Sequence, residues 1–583
     1  MRDYHHILRL FKDIYGDQLS ETFRNELTSL LDSFVEFLDK HPASGLTEHD
    51  SILITYGDAI KARNMSPLQA LNTFLTSEVK SVIGAIHLLP FFPYSSDDGF
   101  SVIDYYQVDP EIGSWDDIAQ LARNYDLMFD AVINHVSIQS SWFQKFLTGD
   151  DLFSKYFITV DGGTDLSEVF RPRALPLLTT FQTVQGLKQV WTTFSEDQVD
   201  LNFHHPEVLL DILQILLMFV QRKARFIRLD AIAYIWKEVG TSCIHLENAH
   251  RIVQFFRAVF NQLAPYAQII TETNVPHKDN IAYFGNGSNE AQLVYNFSLP
   301  PLVLHSFHQE TTSVLTYWAK SLELPSNQTS YFNFLASHDG IGITPAKGLI
   351  SDHEIHTMCE RVTRLGGYVS YKDNPDGTRS PYELNINYLD ALADPEVYEE
   401  PTSIIADRFL ASQSIMLVLK GVPGIYYHSL LGSKSWREGV RKTGRSRTIN
   451  REKLELDNLL NEIHQKDSLR HIIFNEYISM LKARASALYH AFSPSGAQKV
   501  LEVHDKLFVI LRTDRNQAAK VLCVTTVSHE PISVEIDNRN AGLFGWEFHK
   551  ALYARNASCK VFQNKTQLQM GPYGVLWILL VND

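Results

Sequence analysis

FIRLDAIAY, residues 226–234, is the stretch that decides the fold. Its first residues are almost wholly apolar and β-prone, and the run ends on a carboxylate, Asp230. A strand that is apolar on both faces is buried on both faces, as in a parallel sheet covered by helices. Seven more runs of this kind occur outside it: ILITY (52–56), AIHLLP (85–90), LMFDAVI (127–133), QIITET (268–273), QLVYNF (292–297), YFNFLAS (331–337) and GIYYHS (424–429). Helical patterns separate them. Eight such strands predict an α/β fold of the (β/α)₈ TIM-barrel type. An open doubly wound sheet is the alternative, but no GxGxxG turn follows an early strand.

The rest of the chain is arranged around this core. With 583 residues it is too long for one ordinary domain. Residues 1–48 read as an N-terminal helical extension, with Leu8, Phe11, Ile14, Leu27, Leu31, Phe34, Phe37 and Leu38 at helical spacing. Residues 49–491 form the catalytic barrel, and 492–583 a C-terminal all-β domain. Two gaps, about 138–205 and 340–400, are too long for plain loops and follow candidate strands. They are expected as inserted subdomains on the C-terminal face, where barrel active sites form.

Acidic residues end or follow three of the strands: Asp230, Glu272 and Asp339. One such acid could be a salt-bridged or helix-capping group. Three, with Arg228 and His338 alongside, point to chemistry. Retaining glycosyl transfer needs one carboxylate as nucleophile and one carboxyl as acid and base, about 5–5.5 Å apart. A third can steady the oxocarbenium-like transition state. Arg228 lies two residues before Asp230, on the same side of the strand. Its cation is expected to keep Asp230 ionised. Glu272 must begin protonated, so its pKa is expected to be raised.

FDAVINH (129–135), FIRLDAIAY (226–234), IITETN (269–274) and FLASHDGIG (334–342) resemble, in order, the four strand motifs of the α-amylase superfamily. The resemblance implies Asp230 as nucleophile, Glu272 as acid/base and Asp339 as transition-state stabiliser. It implies His135, Arg228 and His338 as donor-subsite residues. FPYSSDDGFSVIDY (92–105), FRPRALP (170–176), VWTTFSEDQVDLN (190–202) and WKEVGTSCIHL (236–246) resemble the sucrose phosphorylase branch. That narrower resemblance implies that Asp98 grips the far hydroxyls of a single donor glucosyl unit and that phosphate replaces water as second nucleophile. It implies Arg173 and Arg447 (within RSRTINR) as cations on the acceptor side. Tyr56 and Tyr234 match donor-pocket positions, although core packing is a rival for each. Phe194 could stack on the acceptor side. The branch resembles the calcium-free members, and no DxDxDG loop is present, so neither metal nor cofactor is expected.

Within the branch, ITETNVPHKDNIAYFGNG (270–287), NFSLPPLVLH (296–305) and NPDGTRSPYE (374–383) resemble the members that act on glucosylglycerate. Arg379, Ser380 and Pro381 replace the acceptor loop of the sucrose enzymes, and Glu383 stands where Gln is usual. Arg379 is therefore a candidate to hold the glycerate carboxylate by a two-pronged bond. Its alternative is a loop arginine paired to an acidic neighbour. The reaction expected is reversible phosphorolysis to α-glucose 1-phosphate and glycerate through a glucosyl-Asp230 intermediate. Sucrose, sucrose 6′-phosphate or glucosylglycerol phosphorolysis, or a retaining glucosidase or transglucosidase, remain alternatives.

Formal net charge is −15. That disfavours nucleic acid and anionic membranes as partners. Small-molecule substrates are expected, with a homodimer left open. Four scattered cysteines suggest neither a zinc site nor a disulfide framework. No signal-peptide pattern opens the chain, and no apolar run nears the ~20 residues that span a bilayer. A cytoplasmic location is the expectation.

Overall fold

The computed structural model describes residues 3–16, 19–35, 45–173, 175–374, 377–397, 399–485 and 490–582. The eight expected strands form one closed parallel barrel. In chain order they are Ile52–Thr55, Ala85–Leu88, Asp126–Ala131, Ala224–Leu229, Gln268–Thr271, Leu293–Tyr295, Ser330–Phe334 and Val422–Tyr426. The first strand closes the ring. Ile52 pairs with Ala85 on one side and Gly424 on the other. Helices such as Pro206–Gln221 and Glu247–Leu263 bury their apolar faces against the sheet. The strands are shorter than their apolar runs, because their last residues leave the ladder to enter the C-terminal rim.

The N-terminal extension is two helices among the described residues, His5–Tyr15 and Glu21–Val35. Gly16, in a left-handed conformation, ends the first. Phe11 stacks on Phe255 at 5.6 Å, and the Tyr15 hydroxyl donates to the Phe203 carbonyl at 3.0 Å. Phe37 and Leu38, expected in the same helical pattern, lie outside the described residues.

Both long segments carry structure of their own on the C-terminal side. The first holds the helix Ser141–Leu147 and a small antiparallel sheet that includes Leu178–Thr183 and Gly186–Trp191. The second holds the helix Asp352–Arg364 and a hairpin of Tyr368–Asp373 with Arg379–Asn385.

The C-terminal β domain is a six-stranded antiparallel sheet. Its longest strands are Lys565–Val581 and its neighbour Glu547–Val561. The latter is largely exposed and polar.

Two buried arginines join this domain to the barrel. Arg484 donates to the carbonyls of Glu48, Leu417, Gly421 and Phe492. Arg512 donates to those of Val418 (3.0 Å) and Ser493 (2.8 Å). Among the described residues, no helix is long and apolar enough to cross a membrane.

Candidate active site

The parallel barrel sends every strand's C-terminal end to one rim, and the chemistry-bearing side chains gather there. Asp230 and Glu272 each extend the ladder by one residue. The Asp230 amide donates to the Ala131 carbonyl (3.1 Å), and the Glu272 amide to that of Leu229 (3.2 Å). The chain then turns sharply. Ala231 has φ +49°, a conformation that costs a residue with a Cβ and clusters at functional sites. That turn aims the Ala231 amide at Glu272 Oε2, 3.1 Å away.

Arg228 lies beneath the acids, in register with Asp130 on the third strand. Its Nη1 donates to Asp130 and, at 2.8 Å, to Asp230. Its Nη2 lies 3.8 Å from Glu272. The other Asp130 oxygen meets His87 Nε2 at 2.7 Å, inside the barrel. Three carboxylates thus share one guanidinium. The expectation that Arg228 keeps Asp230 ionised needs correction. Burial outweighs the cation, and Glu272, Asp130 and Asp339 add repulsion, so the Asp230 carboxyl is pushed up to about 8. Burial also raises Glu272, against Arg228 and the Ala231 amide. Burial thus pushes both carboxyls towards the protonated form, and they titrate as a pair.

Asp339 behaves oppositely. Its burial is outweighed by Arg447, His338 and Arg451, which hold it well below the usual carboxylate range. Arg447 Nη1 lies 2.6 Å from Asp339, while Nε and Nη2 grip Glu383 at 3.0 and 2.9 Å. His135 and His338 are driven towards the neutral form by burial. His338 stacks on Phe100 at 4.6 Å, with the rings nearly parallel.

Ten of the fourteen residues proposed from sequence line one cleft. Asp230, Glu272 and Asp339 do so with His135, His338 and Tyr234. Phe194, Arg173, Glu383 and Arg447 stand on another part of the wall. Arg228 supports the floor. Tyr56 is buried, its ring 6.2 Å from His338, and its hydroxyl finds no partner among the described residues. Asp98, in a left-handed turn, pairs with Arg451. Gly99 must be glycine there, since a Cβ would fall 2.6 Å from the Pro90 carbonyl oxygen.

Arg379 stands apart. Its side chain is 69% exposed on the hairpin and pairs with Asp373 at 2.9 Å. That contact is the one the alternative reading expects, a loop arginine paired to an acidic neighbour.

Four residues not singled out from sequence belong to the site. Arg451 also donates to the His338 carbonyl at 2.9 Å, and Asp97 pairs with Arg173 at 3.2 Å. Arg451 closes the RSRTINR stretch, and Asp97 adjoins Asp98, so both lay within motifs already noted. His87 and Asp130 sit inside apolar runs and gave no separate signal. Among the described residues, no group of three or more His, Cys, Asp or Glu side chains could hold a metal ion.

The sequence profile of the alpha-amylase catalytic domain matches residues 80–347. A glucosylglycerate phosphorylase of Spirochaeta thermophila is 50% identical over 526 residues, covering 89% of this chain and 88% of that protein. The chain belongs to the alpha-amylase family, in its sucrose phosphorylase branch. A second alpha-amylase-family relative, a glucosylglycerate phosphorylase of Escherichia coli, is 42% identical over 570 residues, 97% of this chain and 98% of its own length. Among solved structures of the family, sucrose 6F-phosphate phosphorylase from Thermoanaerobacter thermosaccharolyticum aligns with a TM-score of 0.72 at 25% identity. It covers 86% of this chain and 98% of that one.

Proposed function

We propose that this protein is a retaining phosphorylase that interconverts 2-O-α-glucosylglycerate and phosphate with α-glucose 1-phosphate and glycerate. The observation that carries it is the cleft itself. Three carboxylates converge at one rim, two pushed towards the protonated form by burial and one held ionised, beside Arg173 and Arg447. Likeness to glucosylglycerate phosphorylases over most of the chain supports the choice of acceptor.

In the first step an Asp230 oxygen attacks the anomeric carbon. The bond to the glycerate oxygen breaks, and Glu272 gives that oxygen its proton. In the second, a phosphate oxygen attacks the same carbon, Glu272 takes the phosphate proton, and the Asp230 ester bond breaks. Two inversions leave the α configuration. Asp339, ionised throughout, offsets the positive charge that develops on the ring. The paired titration of Asp230 and Glu272 suits this cycle, because each half-reaction needs one proton between them. Asp98, His135 and His338 hold the glucosyl ring, with Tyr56 and Tyr234 beside it. Phe194 faces the acceptor. Arg173 pairs with Asp97 at 3.2 Å and with no other carboxylate among the described residues, so it fits an acceptor carboxylate or phosphate better than Arg447, which Glu383 and Asp339 hold together. All four cysteines are free thiols, in keeping with a cytoplasmic enzyme.

The test is incubation with α-glucose 1-phosphate and, in turn, glycerate, glycerol or fructose, with product analysis. Phosphate release fastest with glycerate, giving an α-glucoside, is expected. Faster turnover with fructose or glycerol would replace the acceptor. Free glucose with no acceptor dependence would replace phosphorolysis by hydrolysis.

A further inference from the structure

A second hollow opens beside the cleft and shares Asp97, Arg173 and Arg447 with it. Four arginines line it: Arg173, Arg445, Arg447 and Arg451. Their charges are not equally available. Arg447 is held by Asp339 and Glu383, Arg451 by Asp98 with Asp97 at 3.7 Å, and Arg173 by Asp97. Arg445 differs. Gly444, at φ +69°, turns the chain ahead of it, and its backbone is pinned by the Thr443 hydroxyl and the Thr448 amide. Its exposed side chain meets no carboxylate among the described residues. Ser96, Ser195, Ser370 and Ser446 complete the lining, the first two with their hydroxyls already donating to Asp197 and Gln198.

We infer that this hollow is an oxyanion entry site, in which Arg445 with Arg173 captures phosphate or an acceptor carboxylate before it reaches the reacting carbon. Three observations support it. The hollow adjoins the catalytic cleft, so an anion held there has a short path to Asp230. It combines one uncommitted guanidinium with the hydroxyls of Ser370 and Ser446, a cation and donors that suit an oxyanion. The chain as a whole carries −15, so an anionic co-substrate approaches against an unfavourable field except where cations are gathered. This inference rests on the phosphorylase reading, because only that reaction uses two anionic co-substrates.

The experiment compares wild type with Arg445→Ala and Arg445→Lys. In phosphorolysis, kcat/KM for inorganic phosphate is measured from about 0.02 to 0.3 M salt, across which screening shortens the reach of a surface charge several-fold. In synthesis, kcat/KM for glycerate and for glycerol is measured at saturating α-glucose 1-phosphate. Arg445→Ala is expected to lose about five- to tenfold in kcat/KM for the anion at low salt, mostly through KM. The loss should shrink as salt rises, and Arg445→Lys should recover most of it. The drop for glycerate should exceed that for glycerol if the site serves the acceptor, and should appear with phosphate alone if it serves phosphate. A loss independent of salt, or equal for glycerate, glycerol and phosphate, would mark a merely structural residue and overturn the inference. Wild type that needs no phosphate would instead overturn the phosphorylase reading.

Discussion

Replacing Asp130 by Asn changes charge at the centre of the network while keeping its shape. Asp130 and Asp230 accept from the same Arg228 Nη1, so their oxygens lie about 5 Å apart. At an effective dielectric near 20, two unit charges at that spacing repel by about 3 kcal/mol, or roughly two pK units. The Asn dipole and a shift of Arg228 would keep part of this, leaving about one to two units. Removing the Asp130 charge stabilises ionised Asp230 and Glu272, so both pKa values of the pair fall. The active state carries one proton on the pair. Both limbs of the bell-shaped kcat/KM profile therefore move to lower pH. The wild-type alkaline limb is expected near 8, the value to which Asp230 is pushed. Above it, Asp130→Asn should be about ten- to a hundredfold slower than wild type, with the gap closing towards pH 6. The assay is initial-rate phosphorolysis across pH, with near-UV circular dichroism to check folding. An alkaline limb that stays put or moves upward in a folded variant would refute the shared-cation reasoning.

Other perturbations follow from the same contacts. Lys237 is fully buried against Asp200 (2.6 Å) and Asn134 (2.6 Å). Lys237→Met should strand that carboxylate and lower unfolding free energy by about 3–5 kcal/mol in denaturant titration. Arg447→Ala should weaken the acid dependence of stability. Asp339 has a depressed folded pKa, so it stabilises the fold above its unfolded value near 4, and that contribution fades as pH falls. Without Arg447 the depression shrinks, and the stability difference between pH 7 and pH 3 should narrow. Arg379→Ala should change KM for glycerate by less than about twofold, as an exposed ion pair contributes little. A large, glycerate-selective loss would return Arg379 to the site.

The barrel was legible because a parallel sheet buried on both faces needs unbroken apolar strands, and each of the eight runs stands between helical patterns. Asp230, Glu272 and Asp339 were legible because a carboxylate is costly at the end of such a run. What escaped notice depends on distance across strands. His87 within AIHLLP reads as core, and only the strand register brings it to Asp130. In RSRTINR, three arginines lie within one irregular turn. Spacing does not reveal that Arg451 faces Asp98, Arg447 faces Glu383 and Arg445 faces outward. Arg379 shows the reverse problem. Its loop differs from the sucrose pattern, but the hairpin carries the side chain into solvent. The ionisation of Asp230 could not be read from Arg228 alone, because two other acids draw on the same cation.

Arg512, beside the barrel's own Arg484, gives the β domain a part in closing the barrel. The first strand meets the eighth at the only junction formed by the two ends of the barrel sequence. Just before that junction lie the carbonyls of Glu48, Leu417, Val418 and Gly421, which these two side chains satisfy. One of these four carbonyls, that of Val418, is held by Arg512, more than eighty residues beyond the last barrel strand. A fragment ending at 485 would keep all eight strands and Arg484, yet lose the Arg512 bond to its seam and the sheet that packs beside it. It should bind hydrophobic dyes and lack fixed aromatic packing, whereas a fragment with native near-UV dichroism would show that the ring closes unaided.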